Sequence, residues 1–273
     1  MSTTRVFACL CLALCCSVVS AQGLRVSTVV YDAARLDDRG REVAVSNSFS
    51  LFHNGRVYDY VEAAGEVVVF DPIARRFVVM SLDRKVYTTI PFAQLNELLA
   101  ERQPQAEKYL ASLKARNSPE TRAASQILSF QLNPKFDETI KTTTGALLMK
   151  SASWKYQVST REWEDPQQVK RYLDYVDWTA RLNCLLHPLN SFPEPRIALN
   201  AELRKLENRV PVLINLDQRP LARVVMRAEH KFERNLSDRD RSLINSWNDA
   251  LKSADMKELP LRSYQEKVIV SSK

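Results

Sequence analysis

Glycine is scarce in this chain: five occur in 273 residues, at positions 23, 40, 55, 65 and 145. No two stand at the spacing of a phosphate-binding or dinucleotide-binding loop, so both motifs are excluded and no cofactor is expected. The same scarcity removes the glycine-flanked nucleophilic serine of α/β-hydrolases. Histidine is rarer still, and none of His53, His187 and His230 has a second histidine at helical ligand spacing, so no metal site is expected. Of the five cysteines, Cys9, Cys11, Cys15 and Cys16 crowd into the first residues. Cys184 is left alone, without an internal disulfide or a cysteine-based metal site to join. Beyond residue 21 no segment is apolar enough to span a bilayer.

The first residues, MSTTRVFACLCLALCCSVVSA, combine one early charge at Arg5 with an apolar run from Val6 to Val19 and small residues before Gln22. Val19-Ser20-Ala21 fits a signal-peptidase site, which predicts export, to the periplasm or beyond, and a mature chain starting at Gln22. The apolar run is shorter than the roughly 20 residues that a membrane span requires. A retained anchor and lipid attachment at Cys15 or Cys16 are the alternatives. The formal net charge of +7 is modest and scattered. It favours weak peripheral attraction to anionic membrane surfaces and argues against a nucleic-acid groove.

The segment Glu42 to Pro91 holds five short runs rich in Val, Phe, Tyr, Ile and Thr, separated by HNG, AAG, DPIARR and LDR. This pattern predicts an antiparallel meander, with Asn54-Gly55 able to take the positive φ values of a two-residue turn. Leu24 to Tyr31 reads as an opening strand. In the strand from Glu42, Val43, Val45, Phe49 and Leu51 share one face. Further on, Val67 and Val69 oppose Val68 and Phe70, and Phe77 and Val79 oppose Val78 and Met80. Apolar residues on both faces predict a sheet covered on both sides, or one whose second face lines an apolar cavity.

After Pro91 the spacing turns helical, with Phe92, Leu95, Leu98 and Leu99 on one stripe. Pro104 predicts a second helix, and Asn117-Ser118-Pro119-Glu120 the restart of a third. Strands return with KFDETIK, GALLMKSA and WKYQVSTREW. Asp165-Pro166 opens a helix with the stripe Val169, Leu173, Val176, Ala180 and Cys184. A further helix spans about Arg196 to Asn208, and strands follow at Val210 to Leu216 and Leu221 to Arg234. Ser237 with Asp240 then resembles a capping box, and Tyr264 to Val270 reads as a last strand. The expected class is α+β: a curved antiparallel sheet, half-open and barrel-like, with helices covering one face or the mouth. The expected organisation is a signal peptide at 1–21 and a single domain at 22–273, with a sheet core at 24–160, a helical insertion at 161–209 and closing strands and helix at 210–273.

Candidate chemistry is thin. His230 falls in the row Val224, Met226, Ala228, His230, Phe232 and points inward, where a satisfied core histidine is the ordinary outcome. Asp174 and Asp177, interleaved with Tyr172, Tyr175 and Trp178, occupy neighbouring turns of one helix. They read either as an aromatic and acidic rim around a ligand or as an amphipathic helix with aromatic edges. Arg223, Arg227 and Lys231 share a face with Glu229 and Glu233, and the mixed signs predict a solvated face or an intramolecular ladder, with an anion site as the alternative. Cys184 reads as an inert buried thiol.

The stretch HNGRVYDYVEAAGEVVVFDP, set between an opening strand and later helices and strands, resembles the periplasmic lipoprotein-carrier superfamily, the outer-membrane lipoprotein chaperones and the related envelope-stress regulator. The resemblance covers Leu24 to Ser159. It implies a half-open β-barrel with helices over its mouth and an apolar interior that takes acyl chains. The carriers are shorter and begin with a helix, whereas this chain begins with a strand and has added helices between Arg161 and Arg209. The stretch YLDYVDWTARLNCLLHP is similar to one in uncharacterised exported proteins of planctomycete-type bacteria. The expectation is a non-enzymatic envelope protein binding a lipid or lipoprotein acyl chain, with Leu51, Val69, Phe77, Val79 and His230 as ligand-binding residues. A protein-interaction module with a packed interior and a hydrolase using Asp174, Asp177 and His230 are the alternatives.

Overall fold

The computed structural model describes residues 23–116, 118–186, 192–218 and 224–268. Its strands form one open twelve-stranded sheet, antiparallel throughout except at one edge. The strands are β1 (Leu24–Leu36), β2 (Glu42–His53), β3 (Arg56–Val61), β4 (Glu66–Asp71), β5 (Arg76–Ser81), β6 (Val86–Pro91), β7 (Asp137–Lys141), β8 (Ala146–Lys150), β9 (Lys155–Glu162), β10 (Arg209–Asp217), β11 (Val225–Arg234) and β12 (Lys257–Glu258). The spatial order is β12-β6-β5-β4-β3-β2-β1-β11-β10-β9-β8-β7. β1 therefore joins two meanders, pairing Leu24 with Phe52 on one side and with Arg234 on the other. The helices are α1 (Phe92–Arg116), α2 (Pro119–Leu132), α3 (Pro166–Leu186), α4 (Glu194–Lys205), α5 (Asp238–Lys252) and α6 (Leu261–Val268).

Both faces of the first meander are covered by the chain's own helices. Strand alternation places Phe52, Val57, Phe70 and Phe77 in one cross-strand row, packed with residues of α1, α3, α4 and α6. Leu51, Tyr58, Val69 and Val78 form the row behind them, packed under Ile244 and Trp247 of α5. Trp247 stacks on Phe49, Tyr58 and Tyr60, with ring centroids 5.8 to 6.4 Å apart. Two buried faces explain why these strands read as nearly continuous apolar runs.

Several local expectations are corrected. Pro104 lies inside a continuous α1: a proline removes one backbone hydrogen bond and kinks a helix without always ending it. The register of β2 against β1 slips between Ser46 and Ala44, so Val45 bulges out and is 43% exposed instead of sharing a face with Phe49 and Leu51. The buried stripe of α3 includes Tyr172 and Tyr175, which pack on Phe52 and Phe232 as core residues. The last segment is helical through Val268, because Tyr264 and Val268, four apart, both face the core; positions 269 and 270 lie outside the described residues. The capping boxes at Ser118 with Thr121 and at Ser237 with Asp240 are both formed.

Candidate functional site

Three connections meet at one end of the first meander. Asn54 and Gly55 take φ values of 48° and 77° in the two-residue β2–β3 turn, a conformation that glycine and asparagine adopt at least cost. The β4–β5 turn is pinned by Asp71, whose carboxylate accepts from the Ala74 amide at 3.0 Å and pairs with Arg56 at 2.8 Å. Arg75, at φ 51° in the same turn, accepts the Phe92 amide at 2.9 Å and so fixes the start of α1. α3 crosses above, where Tyr175 meets Phe52 edge-on at 5.6 Å and Phe70 at 5.8 Å.

Between these turns and α3 lies a cavity of about 540 Å³. Its apolar wall is Phe52, Val57, Phe70, Phe92 and Trp178. Phe92 stacks on Phe70 at 5.5 Å and on Trp178 at 3.8 Å, both with planes 19° from parallel. Four arginines, Arg56, Arg75, Arg171 and Arg181, and two aspartates, Asp174 and Asp177, also line it. The aspartates are engaged. Arg204 bridges Asp174 at 3.2 Å and Asp177 at 2.7 Å, Lys170 pairs with Asp174 at 2.7 Å, and the Asn200 amide donates to Asp177 at 2.7 Å. Arg56 is held by Asp71. Among the described residues Arg75, Arg171 and Arg181 form no salt bridge. Arg181 lies 5.2 Å over the Trp178 ring and donates to the Asp177 carbonyl at 3.2 Å, and Arg171 donates to the Gln167 carbonyl at 3.3 Å. An apolar floor below a basic rim suits a ligand with both characters.

The residues singled out from sequence are dispersed. Leu51 and Val69 lie on the α5 side of the sheet, Phe77 and Val79 on the opposite side. The β4–β5 register sets Val69 opposite Val78 and Phe70 opposite Phe77, so the four share no wall, and none borders the cavity. His230 is elsewhere on the sheet, with Nδ1 2.9 Å from Thr28 Oγ1 and Nε2 buried without a partner. Burial, reinforced by the positive field of Arg196, holds its imidazole down at about 3, so it is neutral near pH 7. Arg227 pairs with Glu42 and Glu229, and Lys231 with Glu233 at 2.8 Å, which is the expected ladder. Cys184 is buried and free, its thiol raised by burial. His187 and Arg223 lie outside the described residues. Of the residues weighed for chemistry in the sequence, Asp174, Asp177, Trp178 and His53 reach the cavity, joined by Asn54, Gly55, Phe70 and Phe92, which were read there as turn, strand and helix residues. Phe52, Phe70, Phe92 and the arginines come from separate elements and carry no shared sequence signal.

Behind the cavity sits a buried polar group that the sequence did not suggest. Ser50 Oγ donates to Asp59 at 2.6 Å, and the Tyr175 hydroxyl lies 3.5 Å from Ser50. Burial pushes the Asp59 carboxyl up to about 6, against the hydrogen bonds from Ser50 and Tyr175. Burial also raises Glu66, which accepts from the Tyr264 hydroxyl at 3.0 Å. Among the described residues no group of three or more His, Cys, Asp or Glu side chains is placed to hold a metal, and no helix is long and apolar enough to cross a membrane. Compared with protein-family models and with curated proteins, the chain matches none.

Proposed function

We propose that this is a non-enzymatic binding protein of the cell envelope that holds the apolar part of a lipid or lipoprotein, an acyl chain, in the cavity between the β2–β3 turn and α3. One observation carries the reading: a 540 Å³ space walled by Phe52, Phe70, Phe92 and Trp178, within the roughly 300–1,000 Å³ of small-ligand sites. The likeness of the meander to the lipoprotein carriers and the signal-like first residues point the same way. The binding place differs from the one read in the sequence, since helices cover the sheet faces and the open apolar space lies at the sheet end. Asp174 and Asp177, both tied to Arg204, are positioning residues for α4 in this reading and not an acid–base pair.

The test is organic extraction of the purified protein with mass spectrometry of what it retains, followed by titration with a fluorescent fatty acid read through the emission of the probe itself. Retained lipid and saturable binding lost in Trp178→Ala are expected. Absence of both eliminates the reading. A second reading, a protein-interaction module, is favoured by the helices packed on both faces of the first meander, and it would then stand in its place.

A further inference from the structure

Resting on that cavity as the binding site, we propose that its ligand ends in an anion, a carboxylate or a phosphate, gripped by Arg75, Arg171 and Arg181. The three come from the β4–β5 turn and from two turns of α3, and all border the same space. Each carries a permanent charge, and among the described residues none of them forms a salt bridge, whereas Arg56 beside them is taken by Asp71. Arg181 is the most prepared: the Trp178 face and the Asp177 carbonyl hold its guanidinium in place. Its field also reaches Glu194, without a salt bridge between them. Arg171, an exposed side chain, is steadied by the Gln167 carbonyl alone.

The two aspartates on the lining do not cancel this field, since Arg204, Lys170 and Asn200 already face them. The four fixed cations on the lining are all arginines, whose planar fork matches a carboxylate or phosphate with two parallel hydrogen bonds, a geometry lysine lacks. A neutral apolar ligand would leave these donors to water at the mouth. An anionic end gives them acceptors while the tail covers Phe70, Phe92 and Trp178.

Isothermal titration with decanoate, decyl phosphate and decanol, three ligands with one tail, tests this. Both anions are expected to bind about tenfold or more tightly than decanol, since a charge-assisted hydrogen bond contributes about 1.5–3 kcal/mol. The advantage is expected to shrink with added salt. In Arg75→Gln/Arg171→Gln and in Arg181→Gln it is expected to shrink, with both anions losing at least about fivefold more affinity than decanol. The preferred anion tells the carboxylate source from the phosphate source. Decanol binding as tightly as both anions, or variants that weaken all three ligands alike, overturns the inference and leaves the apolar site standing. Failure of all three ligands to bind removes the site and the inference together.

Discussion

Phe92 and Trp178, from the first turn of α1 and the middle of α3, lie face to face with ring centroids 3.8 Å apart. Phe92 also stacks on Phe70, which touches Phe77 at 5.2 Å. The cavity floor is thus the outer end of the aromatic core, and a ligand there would extend that core outward. Ligand affinity and core packing meet at Trp178, which is only partly buried.

Trp178→Ala is expected to lower apolar-ligand affinity by at least about tenfold. Its stability cost should be smaller than that of a fully buried aromatic, about 1–3 kcal/mol against the usual 3–5. Urea denaturation beside ligand titration separates the two effects. Trp178→Phe, which keeps a stacking partner for Phe92, should recover most of both. Unchanged affinity in the alanine variant would show that the ring is packing only.

Leu51→Ala and Val79→Ala provide the converse. Both side chains are fully buried, on opposite faces of the sheet, and neither borders the cavity. Each is expected to lower unfolding stability, by about 2–5 kcal/mol for the leucine and about 1–3 for the valine, with ligand affinity unchanged within about twofold below the melting transition. Phe52→Ala, which borders the cavity, should reduce both. A large affinity loss in either of the first two variants would return the binding surface to the sheet face.

The meander was legible because its periodicity and turn chemistry agree: Asn54-Gly55 takes the left-handed values that its type predicts, and Val67 to Phe70 are buried on both sides. The covered sheet was legible for the same reason. Which side chains share a space was not, since Leu51 and Val79 look equivalent in sequence while strand parity separates them. The cavity collects Phe52, Phe70, Phe92 and Trp178 from four elements, and no local pattern joins them. Trp178 beside Asp174 and Asp177 was the one visible trace. Tyr264 and Val268 show the opposite failure: a short apolar and β-branched segment reads as strand until packing four residues apart selects helix.

Asp59→Asn is expected to stabilise the protein at neutral pH. Burial raises the Asp59 carboxyl to about 6, above its ordinary 3.8, so the folded state holds a proton that the unfolded chain has released. Its contribution is fully present below about pH 3.8 and is lost as pH rises through about 6. The amide mimics the protonated acid beside Ser50 and Tyr175 and carries no such loss. At pH 7.5 the variant should exceed the wild type by about 1–3 kcal/mol, with the two converging near pH 4. The charged neighbour on this face is Glu66, and its own raised carboxyl should leave a weaker slope of the same sign. Equal stability at both pH values would mean that Asp59 is solvated.

His230 governs the acid side with the opposite sign. Its imidazole is held at about 3 by burial and by Arg196, well below the ordinary 6.5, so below pH 6.5 the unfolded chain binds a proton that the folded one refuses. Stability from this group is fully present above about pH 6.5 and falls steadily as pH drops toward 3, by about 2–3 kcal/mol between pH 6.5 and 4. Over part of that range the falling contribution of His230 and the rising contribution of Asp59 offset each other, which should flatten the wild-type profile. His230→Gln removes the first and leaves the second. Its urea midpoint should therefore climb as pH drops from 6 to 4, while that of Asp59→Asn declines over the same interval. The substitution exchanges the contact with Thr28 and will shift absolute stability, so the measured quantity is the difference in slope. Parallel profiles for the two variants would show that neither group binds protons differently in the folded and unfolded chains between these pH values.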